Sequence, residues 1–185
     1  MAEKPHITPA LLAELLAYAP ETGALTWKPR PMHMFANGGK QSQRQNWLAW
    51  NAKHAEKPAL TALTAGYPSG RVLKVMVYAH RVAWAIHHGI WPDGQIDHIN
   101  GDRTDNRICN LRDVTQAQNL KNVKKIGPNK FKGVTRTPSA WVARIRANGK
   151  IQHLGSFRCE TAAAIAYDLA SIEHHGEHGR RNGSL

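Results

Sequence analysis

Apolar residues at Leu11, Leu12, Leu15 and Leu16 fall on one face at helical spacing. Thr8-Pro9 stands just ahead of them, a capping hydroxyl followed by the residue best suited to a first helical position. Pro20-Glu21-Thr22-Gly23 then predicts a turn, and 24–27 a short strand. The pattern dissolves over 28–46, where Pro, Gly, Gln, Asn and Arg dominate and a long loop is expected. Trp47-Leu48-Ala49-Trp50-Asn51 brings two indoles together, for which packing is the expected role over base stacking. Strand-forming Val72, Leu73, Val75 and Val77 lie within 67–78, which reads as a hairpin turning at Pro68-Ser69-Gly70. Val82, Ala83 and Ile86 give 79–88 a helical face, which Gly89 ends before Trp91-Pro92. His87 and His88 point about 100° apart on that helix and are expected in solvent.

The period changes again at 96–99, which reads as a strand with Asp97 and His98 on opposite faces. Asn100-Gly101 breaks it. A polar loop over 100–108 follows, closed by Ile108-Cys109-Asn110-Leu111. Thr115 and Gln118 have capping-box spacing, which puts Asn119 about one turn into a helix. Residues 124–130, basic and broken by Gly127-Pro128, suit a linker. Beyond it come strands at 131–135, 140–147 and 150–154, the last two joined by Asn148-Gly149, a strong hairpin signal. In the middle strand Trp141, Ala143 and Ile145 share one face, and Val142, Arg144 and Arg146 the other. A helix at 160–174 carries Ala162, Ile165, Ala166 and Leu169 at helical spacing and stops at Gly176. It should cover the apolar face of the sheet and leave the arginine face open. His174, His175 and His178 are expected in solvent.

Charge sharpens this picture. The 185 residues carry a net charge of +12, unevenly spread. Residues 1–70 contribute +3, residues 71–123 contribute +2, and residues 124–185 contribute +7, from 11 Lys/Arg against 4 Asp/Glu. Such an excess points to a polyanion partner anchored by the C-terminal third. The middle third keeps its acids, as a metal site requires. Cys109 and Cys159 lie 50 residues apart with no CxxC, which excludes a zinc ribbon and makes a disulfide framework unexpected. No apolar run approaches a membrane span and no leader pattern opens the chain, so a soluble, cytoplasmic protein is expected.

The stretch Asp97 to Asn119, DHINGDRTDNRICNLRDVTQAQN, concentrates the candidate chemistry. Phosphodiester hydrolysis needs a base for water, a cation to offset phosphate charge, and stabilisation of the leaving oxygen. His98 has a reference pKa suited to the base. Asp97 and the Asn119 amide are hard oxygen ligands suited to Mg²⁺, with Mn²⁺ the other candidate. Asn110 could brace the loop and orient His98. The plain alternative is a turn-capping aspartate beside a satisfied histidine.

The whole pattern resembles the HNH endonucleases of the phage and intron homing type. The likeness covers about His80 to Asn119, with His80-Arg81-Val82-Ala83-Trp84 as its lead-in. It implies His98 as general base, Asp97 and Asn119 as metal ligands, and Asn110 in a structural role. Many HNH enzymes have histidine at the third position, whereas the homing subgroup has asparagine, as here. Residues 1–75 resemble the N-terminal region of phage members, and Trp47 to Pro58 carries part of that likeness. The sequence from Phe131 to Asn182, with FKGVTR, WVARIR, HLGSF and AAIAYDLASIEHHG, resembles the APETALA/ethylene-response-factor DNA-binding domain. Its DNA-facing strand positions fall on Thr135, Arg144, Arg146, Ile151 and His153. Thr135 and Ile151 replace usual arginines and His153 a usual tryptophan, so the plant target sequence does not carry over.

The expectation is therefore an α+β chain: an N-terminal region (1–75), a ββα-metal nuclease core (76–123), a basic linker (124–130), and a three-stranded antiparallel sheet packed on one helix (131–182). The expected function is metal-dependent cleavage of double-stranded DNA in a phage-infected or prophage-carrying host, with a monomer favoured. DNA contacts are expected at Thr135, Arg144, Arg146 and His153, and at Lys124, Lys125, Lys132 and Arg81. The alternative is a non-catalytic DNA-binding regulator with a vestigial nuclease fold. An RNA-binding module is a third option, which the lack of an RNP-like aromatic strand disfavours.

Overall fold

The computed structural model describes residues 7–36, 41–123 and 130–183. The chain divides into two compact units, Met1–Asp113 and Val114–Leu185. Both mix α and β structure in small sheets. Among the described residues no helix is long and apolar enough to cross a membrane.

The first unit starts as the Thr8-Pro9 signal predicts. Helix α1 (Pro9–Leu15) is capped by the Thr8 hydroxyl, which accepts from Leu11 N–H. The helix stops one residue earlier than the leucine stripe suggests. Leu16 opens strand β1 (Leu16–Ala19), which pairs antiparallel with β2 (Ala24–Trp27) across the predicted turn. Leu12, Leu15, Leu16 and Leu25 are buried together with Leu60, Val72 and Val82. The region expected as loop gives way to helix α2 (Gln43–His54). Ser42 and Gln45 form a complete capping box there. The two indoles lie on this helix and pack, as expected. Trp50 meets Trp27 edge-on, with the Arg30 guanidinium 3.9 Å from its ring centre, and Trp47 donates to the Arg30 carbonyl.

The predicted hairpin at 67–78 exists, but its turn lies elsewhere. Strand β3 (Ala62–Thr64) pairs with β4 (Tyr67–Val72), and β4 with β5 (Val75–Tyr78). The β4–β5 turn is Leu73-Lys74, both at positive φ, while Pro68-Ser69-Gly70 lie inside β4. Packing explains the small residues at that point. A Cβ on Gly70 would come within 2.9 Å of Leu60 Cδ2. Ser69 is fully buried against Thr64 and the Ala62 carbonyl. Helix α3 (Ala79–His88) has the predicted bounds, with Gly89 left-handed at its end and His87 and His88 exposed. Ala83 packs with Ile96 and Leu111, which seats a two-stranded sheet of β6 (Gln95–His98) and β7 (Leu111–Val114) on the helix. Asp113 accepts from the Asp93 and Gly94 N–H groups, and Arg81 donates to the Pro92 and Gly94 carbonyls, so the segment entering β6 is clamped.

In the second unit, helix α4 (Gln116–Asn122) begins with the predicted Thr115–Gln118 capping box. Strands β8 (Val134–Arg136), β9 (Trp141–Ala147) and β10 (Lys150–Phe157) form an antiparallel sheet with β9 in the middle. Asn148-Gly149 turns the second hairpin with both residues at positive φ. Helix α5 (Glu160–His175) covers one face of this sheet. Its packing face differs from the predicted stripe: Ala163, Ala164, Tyr167 and Ala170 are buried, while Leu169 is exposed. Small residues let the helix approach closely, and Asp168, fully buried on the same side, accepts from Asn182 N–H. Helical periodicity alone cannot select between two faces when alanines populate both.

Candidate active site

The site grows from the end of β6. Asp97 and His98 are both buried and have different surroundings, as expected of neighbours on a strand. Asp97 meets Arg112 of β7, whose Nε and Nη2 both donate to its Oδ2, at 2.9 and 2.7 Å. His98 faces a set of rings. His80 of α3 meets it edge-on at 5.3 Å between centres, and Tyr67 of β4 lies at 5.9 Å. Burial pushes the His98 pKa below its ordinary value, partly opposed by the Asn106 hydrogen bond and the Asp97 charge. His80 is lowered to about 3, by burial first and then by His98 and Arg81. Two neutral imidazoles therefore stand side by side near neutral pH.

The loop after His98 is built from short polar links. Gly101 N–H returns to the His98 carbonyl. Asn110 ties the loop at two points, accepting from Asn100 N–H at Oδ1 and donating from Nδ2 to the Asp105 carbonyl. Asp102 accepts from Thr104, and Asp105 pairs with Arg107, which holds the Asp105 carboxyl down at about 2. Asn110 thus links Asn100 to Asp105 across the loop, and among the described residues it makes no hydrogen bond to the His98 side chain. The His98 ring itself is met by Asn106, a residue that sequence reasoning missed. Asn106 Oδ1 lies 3.3 Å from His98 Nε2. An amide oxygen can only accept, so this contact places the proton on Nε2 and the lone pair on Nδ1. Asn106 is buried, and its carbonyl accepts from the Tyr18 hydroxyl at 2.7 Å. Nothing local marks it, because its partners lie on β6 and on distant β1.

Asn119 lies in α4, in the second unit, where its N–H bonds the Thr115 carbonyl. The Asp97 carboxylate is a hard oxygen donor, the chemistry that suits a divalent cation which keeps waters and takes further oxygens from phosphate. Among the described residues no group of three or more His, Cys, Asp or Glu is placed to hold a metal ion.

Residues 77–121 match the family model of the HNH endonucleases. That segment contains Asp97, His98, Asn110, Arg112 and Asn119, and it supports nuclease action on DNA. HNH nucleases generally use a divalent metal ion. No curated protein and no solved structure matches the chain.

The remaining expected DNA contacts separate into two groups. Thr135 pairs with Val142, His153 with Arg144, and Ile151 with Arg146. Paired residues share a face, so Thr135, Arg144, Arg146, Ile151 and His153 stand on the side of the sheet away from α5, and all five are exposed. Arg81 and Lys132 are instead committed to the protein. Arg81 binds the two carbonyls of the β6 entry, and Lys132 Nζ donates to the Lys121 and Val123 carbonyls, with its pKa lowered by burial and by Arg180. Lys124 and Lys125 lie outside the described residues. His174, His175 and His178 are half-buried rather than solvated. His175 Nε2 donates to the Arg146 carbonyl, and His178 Nε2 lies 3.2 Å from Gln118 Nε2.

Proposed function

We propose that this protein is a divalent-metal-dependent DNA endonuclease of the homing type, with its C-terminal sheet choosing the site. The observation that carries the reading is His98: buried, kept neutral by burial, and oriented through Nε2 beside an acidic residue. His98 Nδ1 accepts a proton from a water molecule whose oxygen bonds to phosphorus, while the bond from phosphorus to the 3′-oxygen breaks; the 3′-oxygen takes a proton from solvent, giving a 5′-phosphate and a 3′-hydroxyl. Asp97 and Asn119 would hold Mg²⁺, which supplies positive charge to the phosphoryl oxygens and the leaving oxygen. Asn110 and Asn106 keep the loop and the ring in place.

Purified protein should break double-stranded DNA with Mg²⁺ or Mn²⁺ and leave it intact in EDTA. Asp97→Ala and Asn119→Ala should each cut poorly, the former more so because it removes a charge. Full cutting in excess EDTA ends the metal reading.

The face bearing Thr135, Arg144, Arg146 and His153 supports a sheet that reads DNA in the major groove, where arginine grips guanine with two hydrogen bonds. Arg144→Ala and Arg146→Ala should each cost about 1–3 kcal/mol of binding and relax sequence preference. Binding to a panel of duplexes at several salt concentrations measures this. Unchanged preference and affinity in both variants would remove the sheet from DNA recognition.

A further inference from the structure

The Asp97 carboxylate has an occupant. Two N–H groups of Arg112 converge on its Oδ2, and the pair is largely withdrawn from water, with side chains 8 % and 14 % exposed. This matters because a buried carboxylate left without a partner is strongly disfavoured. A cation bound through the same oxygen would face the full guanidinium charge at contact distance. Metal and arginine are therefore competitors for one ligand atom. Arg107 is paired with Asp105 in the loop.

We propose that Arg112 is the resident counter-ion of Asp97, that a divalent cation loads onto Asp97 only by displacing it, and that the released guanidinium takes a DNA phosphate. The inference rests on Asp97 being a metal ligand. Guanidinium suits the exchange, since its planar fork binds carboxylate and phosphate with the same geometry. DNA then does two things at once. It offers Arg112 a second anion, and it frees Asp97 for metal. Metal and DNA binding must strengthen each other by the same factor, because coupling between two ligands is reciprocal. Without DNA the protein would hold its cation weakly.

The test is Mn²⁺ binding to the full-length protein, read from the electron paramagnetic resonance signal of free Mn²⁺, with no cleavage involved. A His98→Ala background keeps DNA intact where a short duplex is added. Without DNA, Arg112→Met should bind Mn²⁺ about tenfold more tightly than the protein with Arg112. Arg112→Lys, which keeps charge and loses the fork, should fall between them. The duplex should tighten Mn²⁺ binding clearly when Arg112 is present and little in Arg112→Met. Equal or weaker Mn²⁺ binding by folded Arg112→Met overturns the inference. If that variant does not fold, Arg112→Gln decides by the same readout. Asp97→Asn separates the two levels. If it leaves Mn²⁺ binding intact, the ligand assignment itself fails. If it abolishes binding while loss of Arg112 gains nothing, only the counter-ion role fails.

Discussion

Replacing His98 with alanine is expected to lower DNA cleavage by about 10²–10⁴-fold while DNA affinity stays nearly unchanged. The two effects separate because the ring proposed as the base is buried among His80, Tyr67 and Asn106, whereas the exposed arginines proposed to bind DNA are on a different sheet. The pH profile of the unaltered protein carries a matching signature. A base acts in its deprotonated form, and burial lowers the His98 pKa. The acid limb of the rate profile should therefore lie below the ordinary histidine value, and the enzyme should keep cutting as pH falls past that value. Near-normal cleavage by His98→Ala would remove this residue from the mechanism.

Replacing Gly133 with alanine should unfold much of the second unit's stability. Gly133 sits at φ +73°, where a side chain is strained, and an added Cβ would collide with the Tyr167 ring and come 2.6 Å from the Arg144 carbonyl. Tyr167 cannot simply move, because it is buried against Ile145 and Ala170. The Gly133 carbonyl also receives the Arg144 N–H at 2.8 Å, at the point where β8 joins β9. Left-handed strain and overpacking together amount to about 2–4 kcal/mol. In a unit of 72 residues that corresponds to a fall of about 10–25 °C in the unfolding temperature. Calorimetry of the full chain measures it, and DNA binding should fall in parallel. A transition within a few degrees of the unaltered protein would show that the ring and strand have room to give.

Local signals explain which parts of the fold were legible. Thr8-Pro9, the Thr115–Gln118 capping box, Gly89 and Asn148-Gly149 each act within a few residues, and each element stands where they put it. The Ser42–Gln45 box is equally local, but the polar composition around it hid the start of α2. The β4–β5 turn was misplaced because Leu73-Lys74 carries none of the usual turn residues, while Ser69 and Gly70 are small for packing reasons. Within the site, the order of Asp97, His98, Asn110 and Asn119 is readable along the chain. Asn106 and Arg112 are not. Their importance comes from a ring and a carboxylate that only folding brings near, and a polar loop or an alternating strand gives no sign of which residue will arrive there.

The Tyr18 hydroxyl bond to the Asn106 carbonyl spans 88 positions, and Ile108 N–H binds the Pro20 carbonyl alongside it. Residues of the first hairpin thus form the seat of the loop that carries the proposed chemistry. On a ribosome adding about 5–20 residues per second, Tyr18 is added about 4–18 s before Asn106. Throughout that interval the segment of the first hairpin is present without the loop it supports. Any product of interrupted synthesis that stops before residue 106 has the seat without the complete loop. Under the proposed function, competence to cut would arrive late in the making of each chain.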